Sequence, residues 1–194
     1  MSQFRAYFEL GIQHILDLNG FDHILFIIAL CALYTLRDWR KVLILVTAFT
    51  IGHSVTLALS VLNVLTINAG IIEFLIPVTI LITALSNIFR KNDSFNPSKI
   101  HLNYIYAVVF GLVHGLGFSN YLKSIMGRGT QVVGQLLAFN LGIEAGQVVI
   151  VGIFILVAGL VVGLTEVSKR EWSLGISAAV AGMALMLILE NKFW

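Results

Sequence analysis

Residues 133–164 read VGQLLAFNLGIEAGQVVIVGIFILVAGLVVGL, and Glu144 is the one charged residue in this run. A helix needs about 20 mostly apolar residues to cross a bilayer. The run is longer than this, so it is predicted to be a membrane-spanning helix that either tilts strongly or begins as an interfacial or re-entrant piece near residues 131–139.

The composition of the whole chain extends this prediction. Of the 194 residues, 58% are hydrophobic and 11% are charged, a balance unlike that of water-soluble domains. We expect an all-α integral membrane protein with a single membrane domain over residues 1–194, built as a bundle of about six transmembrane helices. The predicted spans are residues 21–36, 41–62, 70–89, 102–121, 133–164 and 172–190.

The N-terminal stretch differs from these spans. Residues 1–18 have apolar positions at helical spacing but also carry Arg5, Glu9, His14 and Asp17. This pattern predicts a short amphipathic helix at the membrane interface and lacks the continuous apolar core of a cleavable signal peptide.

The basic residues predict the orientation in the cell (inner) membrane. Eight of the 12 Lys and Arg residues fall in the loops that contain Arg40, Lys91 and Lys169. The positive-inside rule therefore places these loops in the cytoplasm and both termini of the multi-pass chain on the outer side. A net charge of +2 with scattered basic residues excludes nucleic acid as a partner. The lipid bilayer is the expected surrounding.

Ionisable side chains interrupt five of the predicted spans. Each costs roughly 2.5 to 3.5 kcal/mol on insertion scales, so such residues are uncommon without a purpose. Helical rise and alternating chain direction place them at overlapping depths in the outer half of the bundle. The candidate metal-binding residues are Asp22, His23, His53, Glu73, His114 and Glu144, with His14 just before the first span.

Polar neighbours accompany two of these residues. Asn140, Glu144 and Gln147 lie on one face of their helix, and Ser54 follows His53. We expect Ser54, Asn140 and Gln147 to orient the ligands from a second layer. Gly115, beside His114, would let a neighbouring helix approach. His101, at a loop boundary, is expected to be dispensable.

The mixture of side chains predicts a cation. Three carboxylates have no Lys or Arg at their depth, so a bound cation is the economical partner. Imidazole and carboxylate ligands suit borderline divalent ions such as Ni²⁺, Zn²⁺ or Co²⁺. Taken singly, each residue also has a structural interpretation: Asp22 as a helix cap, a lone His as a hydrogen-bonded core residue, and Glu73 as a residue of the wet interface.

In its polar motifs the chain resembles the HupE/UreJ family, hydrogenase and urease accessory proteins of the membrane that are regarded as nickel permeases. The resemblance implies metal transport, with metal handling by the seven candidate residues above. One departure is the stretch between His14 and Asp22, seven residues here, which is longer than in the family pattern. The motifs are GIQHILDLNGFDHILF (11–26), FTIGHSVTLAL (49–59), the Glu of IIEFLI (71–76), VFGLVHGLGF (109–118) and FNLGIEAGQ (139–147).

The predicted function is binding and transport of a divalent transition metal, with Ni²⁺ favoured, through an intramembrane site. Two alternatives stay open. One is an intramembrane zinc hydrolase that uses the same cluster, with Ser54 beside the metal-bound water. The other is a noncatalytic accessory protein with a structural metal. The sequence also leaves open whether the chain acts as an oligomer or with an accessory subunit.

Overall fold

The computed structural model describes residues 2–90, 97–126 and 132–192, and gives the backbone alone for residues 97–102. These residues form helices and no strands. A 3-10 turn at Leu36–Asp38 precedes the third helix. The helices are α1 (Gln3–Ile15), α2 (Asp22–Cys31), α3 (Trp39–Val61), α4 (Ala69–Ile88), α5 (Pro97–Gly117), α6 (Ser119–Ile125), α7 (Val132–Leu164) and α8 (Lys169–Glu190).

Four of these helices are long and apolar enough to cross a membrane: α3, α4, α7 and α8. A fifth span is formed if α5 and α6, which meet at an angle of 47°, are taken together. The predicted all-α membrane bundle is thereby confirmed, with four to five apolar helices among the described residues. The sixth transmembrane helix stays a prediction, since α2 is an apolar helix of only ten residues. α7 is continuous from Val132.

Local capping explains where two helices begin. The Ser168 hydroxyl accepts a hydrogen bond from the Glu171 amide at 3.2 Å, and the Glu171 carboxylate accepts from the Ser168 amide at 2.8 Å. This reciprocal pair satisfies donors that the first turn of α8 leaves free. Asn68 caps α4 in a simpler way, because its side-chain oxygen accepts from the Gly70 amide.

Glycines bring α3 and α5 into close parallel contact. A Cβ atom added at Gly111 would lie 2.3 Å from the carbonyl oxygen of Phe49, and one added at Gly115 would lie 2.2 Å from that of His53. Only glycine permits such an approach of two helix backbones. The contact places His53 of α3 beside the His114 turn of α5.

Glycines also bring α1 into close contact with α7. A Cβ atom at Gly11 would lie 2.1 Å from the Phe139 carbonyl oxygen, and one at Gly142 would lie 2.1 Å from the Phe8 carbonyl oxygen. Further along, Ile15 lies against Gly146, so the two helices run in parallel. α1 is thus packed along a spanning helix, and its predicted position at the membrane interface stays a prediction.

α4 and α8 form the third close pair. The Arg170 guanidinium donates to the carbonyl oxygens of Asn87 at 3.2 Å and Ile88 at 2.8 Å. At the other end, Glu190 and Glu73 line one cavity. The start of α8 therefore meets the end of α4, and the two helices are antiparallel.

Candidate metal centre

Four histidines from four helices meet inside the bundle. The ring centroid of His23 lies 4.6 Å from that of His14, 6.0 Å from that of His53 and 5.1 Å from that of His114. His14 lies in the last turn of α1 and His23 in the first turn of α2, and the other two come from the glycine-packed α3–α5 pair. The fold thus brings together side chains that are up to 100 residues apart in the sequence.

Three of these rings could hold one metal ion. One ligand atom each from His14, His23 and His53 lies within 4.8 Å of the other two. Ligands of a tetrahedral ion with bonds of about 2 Å lie about 3.3 Å apart, so small side-chain rotations would complete the site. His53 is 0% exposed and His23 is 4% exposed. Any ion held there would be largely out of contact with bulk water.

Hydrogen bonds orient two of the rings. Asp22 Oδ1 lies 3.1 Å from His23 Nδ1, and the Phe110 carbonyl oxygen lies 2.8 Å from His114 Nδ1. A carbonyl only accepts, so Nδ1 of a neutral His114 carries the proton and Nε2 keeps its lone pair. Carboxylates and carbonyls orient metal-binding histidines in the same way.

Five other ring nitrogens of the cluster are buried without a hydrogen-bond partner among the described residues. They are Nε2 of His14, His23 and His114, and both ring nitrogens of His53. A buried polar atom without a partner costs about 1 to 3 kcal/mol. Five such atoms in one cluster therefore indicate a ligand-binding site, since a bound cation would satisfy several of them at once.

Aromatic rings close the cluster on two sides. The Phe118 ring lies 3.9 Å from the His14 ring and stacks on Phe139 at 5.3 Å. Phe26 and Phe49 lie 5.1 Å and 5.2 Å from the His114 ring. These rings restrict the orientations of the imidazoles.

Beside the cluster lies a cavity of about 250 Å³, called here the histidine chamber. A second cavity of about 310 Å³ adjoins it and shares the wall residues Gly20, Asp22, Glu73 and Ile76. His53 lies behind the chamber and does not line it. The residues lining the chamber are His14, Asp17, Gly20, Asp22, His23, Glu73, Ile76, His114, Gly117 and Phe118.

Sequence reasoning did not assign Asp17 or Glu190 to the site. Asp17 lines the chamber, and Glu190 lines the adjoining cavity. Asp17 lies three residues after His14 in one of the polar motifs, a spacing that could have indicated a shared helix face. Glu190 had no such signal, because a carboxylate at the end of a span is also typical of the membrane interface.

The polar residues of α7 lie elsewhere. The Glu144 carboxylate accepts a hydrogen bond from the Thr47 hydroxyl, and the Gln147 side-chain oxygen accepts from Thr50 at 2.8 Å. Asn140 donates to the Leu136 carbonyl oxygen at 2.8 Å. None of the three lines the chamber. Their roles at the metal stay predictions.

Ser54 is also turned away from the cluster. Its hydroxyl donates to the Thr50 carbonyl oxygen at 2.6 Å, one turn earlier in α3. This bond uses the hydroxyl proton within the helix, and Ser54 does not line the chamber. The geometry of Ser54 therefore lends no support to the hydrolase alternative.

A bundle of apolar helices around a buried histidine cluster defines a multi-pass membrane protein with a candidate metal site. The chain belongs to the HupE/UreJ family: the family model described as HupE / UreJ protein matches residues 1–191, essentially the whole chain. No curated protein and no solved structure matched the sequence. Family and histidine cluster together support a metal-related function.

Proposed function

We propose that this protein binds a divalent transition metal, with Ni²⁺ favoured, in the histidine cluster and transports it across the cell membrane. The observation that carries the proposal is the convergence of His14, His23 and His53, with ligand atoms within 4.8 Å of one another. Zn²⁺ and Co²⁺ are the competing ions. In this proposal the metal ion is the substrate of transport.

The donor set favours a borderline ion. Imidazole nitrogens supply the contacts closest to the ion, and neutral imidazoles suit Ni²⁺, Co²⁺ and Zn²⁺ better than the hard ions Mg²⁺ or Ca²⁺. Asp22 and Glu73, which line the chamber, would offset the charge of the ion as it enters. Cys31, the single cysteine, lies buried in the apolar core, and a thiolate site for Cu(I) has no support here.

The chamber also favours a small substrate. Its volume of about 250 Å³ holds an ion with several waters, since each water occupies about 30 Å³. His114 lines the chamber, and its Nε2 has no hydrogen-bond partner among the described residues. His114 would therefore take up the ion from the chamber side. His53, behind the chamber, would complete the ligand set once the ion has lost its water.

The decisive test is metal uptake into liposomes that contain the purified protein. We expect uptake of Ni²⁺ to exceed that of Zn²⁺ and Co²⁺, and to be lost in His23→Ala. Ser60→Ala is the matched control, because Ser60 is also a buried polar residue but lies outside the cluster. Tight metal binding without uptake of any of the three ions would contradict transport and favour the structural-metal alternative.

Acid pH should weaken binding. Histidine binds a metal only when it is neutral, so protons compete with the ion for the same nitrogen atoms. We expect the dissociation constant, measured by competition with a metal-sensitive dye, to rise as the pH falls. The rise should begin below the ordinary histidine pKa of about 6.5, because burial lowers the pKa of His14. An affinity that stays constant down to the pH at which the protein unfolds would contradict imidazole ligation.

A further inference from the structure

We propose that the outer face of the bundle around Glu144 binds a transmembrane helix of a different protein, and that this helix carries a basic side chain near its middle. The inference concerns a partner protein and does not depend on metal transport. The Glu144 face is defined here as the polar residues Thr47 and Glu144 with the exposed apolar residues beside them on α3 and α7: Ile44, Ile51, Leu141 and Val148.

Thr47 and Glu144 lie deep within their helices. At about 1.5 Å per residue, Thr47 is at least about 12 Å from either end of α3, and Glu144 is at least about 18 Å from either end of α7. The two side chains meet on the outer surface, since Thr47 is exposed and Glu144 is half-buried. Lipid headgroups lie outside a hydrocarbon core of about 30 Å, so a headgroup would not meet Glu144.

The Glu144 carboxylate has few partners within the chain. Among the described residues it accepts one hydrogen bond, from the Thr47 hydroxyl, and forms no ion pair. A carboxylate offers about four acceptor sites. Ionisable residues within spans are usually turned toward the interior of the bundle or paired, because hydrocarbon does not solvate them. Glu144 lines neither of the two cavities described above, so its other acceptor sites lack a partner of this kind.

The packing of α7 holds Glu144 in this direction. Two residues earlier, a Cβ atom added at Gly142 would lie 2.1 Å from the Phe8 carbonyl oxygen, so that side of α7 is packed against α1. Three residues later, the Gln147 side chain accepts a hydrogen bond from Thr50. A rotation of α7 that turned Glu144 inward would break both contacts. The carboxylate is therefore expected to find its partner outside the chain.

Charge complementarity identifies the missing group. A Lys ammonium or an Arg guanidinium carries donors only, and within a membrane it needs an acidic partner as much as Glu144 needs a basic one. The residues that border Glu144 on this face are apolar. The face therefore suits a mostly apolar helix with one basic side chain at the level of Glu144.

A second copy of this chain does not offer such a group on its four long spanning helices, α3, α4, α7 and α8. His53 lies within one of them but is 0% exposed. A symmetric dimer would place the same face against itself and bring two Glu144 carboxylates together. A different protein is therefore the expected occupant. The other basic residues of these four helices all lie in first turns: Arg40, Lys41, Lys169 and Arg170.

The test uses a synthetic helix of about 20 Leu and Ala residues, with a central Lys and a neighbouring Cys, mixed with the protein in liposomes. The protein carries Ile51→Cys in a Cys31→Ala background, and iodine oxidises the two thiols to a disulfide where the probe contacts the Glu144 face. Met183→Cys is the matched position, because Met183 is also exposed but lies deep within α8. We expect cross-linking at Ile51→Cys to be at least about tenfold faster, which corresponds to about 1.4 kcal/mol.

A second probe and two substitutions make the test specific. A probe with a central Leu should react at both positions at similar rates, and this comparison needs no change at Glu144. Glu144→Gln should slow the Lys probe at Ile51→Cys to its rate at Met183→Cys. Thr47→Val, which alters the same face but keeps the carboxylate, should leave the reaction fast.

Two results would overturn the inference. If the Lys probe reacts as fast in Glu144→Gln as in the parent, or no faster than the Leu probe, the carboxylate does not bind a basic helix. If Ile51→Cys forms disulfide-linked dimers that exclude the probe, the Glu144 face binds a second copy of this chain. Either result leaves the proposed metal transport untouched, because the histidines are unchanged in every variant.

Discussion

The histidine cluster differs in its hydrogen bonding from three polar side chains at the other end of the bundle. In the histidine cluster, five ring nitrogens are buried without a partner among the described residues. At the other end, Asn87 donates to the Ala29 carbonyl oxygen at 2.7 Å, and Asn103 donates to the Tyr34 hydroxyl at 2.9 Å. Arg170 donates to the last carbonyls of α4. This second group is called here the arginine end.

The difference distinguishes a binding site from a structural contact. Polar groups that hold helices together are paired with one another, because an unpaired buried group destabilises the fold. Groups that bind a ligand stay unpaired until it arrives. The comparison predicts that substitutions in the cluster change metal affinity with little effect on stability, and that substitutions at the arginine end do the reverse.

The largest expected effect is the loss of metal binding in His53→Ala. His53 is fully buried and both of its ring nitrogens lack a partner among the described residues, so truncation removes a ligand without breaking a hydrogen bond of the ring. We expect the dissociation constant for Ni²⁺ to rise at least about 100-fold, which corresponds to about 2.7 kcal/mol. Calorimetric titration of the purified protein measures this.

Two controls define that result. Ser60→Ala, two turns further along α3, should keep the affinity of the unsubstituted protein. His101→Ala should also keep it, although the side chain of His101 lies outside the described residues. Equal loss of metal in His101→Ala and His53→Ala would show that the assignment of ligands is wrong.

A smaller effect is expected from moving two ligands apart with Gly111→Ala. The new methyl group would meet the Phe49 carbonyl oxygen at 2.3 Å, so α3 and α5 must separate. Overpacking of this kind costs about 1 to 3 kcal/mol. We expect a lower melting temperature together with weaker metal binding, since His53 and His114 lie on the separated helices.

Gly152→Ala is the matched control for this substitution. Gly152 lies in a helix with no neighbouring atom within 4 Å of an added Cβ, so the extra methyl group should raise stability by about 0.5 to 1 kcal/mol through its helix propensity. Thermal unfolding in detergent, followed by tryptophan fluorescence, compares the two. Equal melting temperatures for both variants would show that the glycine contact does not set the helix spacing.

At the arginine end, Asn87→Ala should lower stability and leave metal binding unchanged. Interhelical hydrogen bonds in membrane proteins contribute about 0.6 kcal/mol on average and about 1.7 kcal/mol at most. The loss of the bond to Ala29 should therefore lower the melting temperature by about 2 to 5 °C. If Asn87→Ala instead lost its metal, the contrast between the two ends would be incorrect.

Much of the fold followed from hydropathy, because a bilayer requires long apolar helices and imposes few other choices. The start and bend of individual helices did not follow from it. The predicted span 102–121 ends in the structure at Gly117, where α6 turns away by 47°. The predicted span 21–36 is a ten-residue helix, α2. Hydropathy averages over a window and cannot locate such breaks.

The candidate site could be predicted from the sequence for a different reason. Ionisable residues within apolar runs are conspicuous, and His14, Asp22, His23, Glu73 and His114 all line the chamber. The rotation of each helix about its axis could not be predicted from the sequence, because it is set by close contacts such as Gly11 against Phe139. α7 is the clearest case: its depth brought Glu144 into the predicted ligand set, whereas its rotation turns Glu144 toward Thr47.

The smallest expected effect is that of Glu144→Gln, which tests whether depth or rotation decides membership in the site. Depth alone predicts a loss of affinity of at least about tenfold, because a negative charge near the ion would be removed. The geometry predicts less than about twofold: Glu144 does not line the chamber, and a Gln side-chain oxygen can still accept from the Thr47 hydroxyl. Titration with Ni²⁺ distinguishes the two values. Asp22→Asn is the positive control, because the Asp22 carboxylate lies in the chamber wall and orients His23. If Glu144→Gln weakens binding as much as Asp22→Asn, the α3–α7 contact must open when the metal binds, and Glu144 joins the ligands from there.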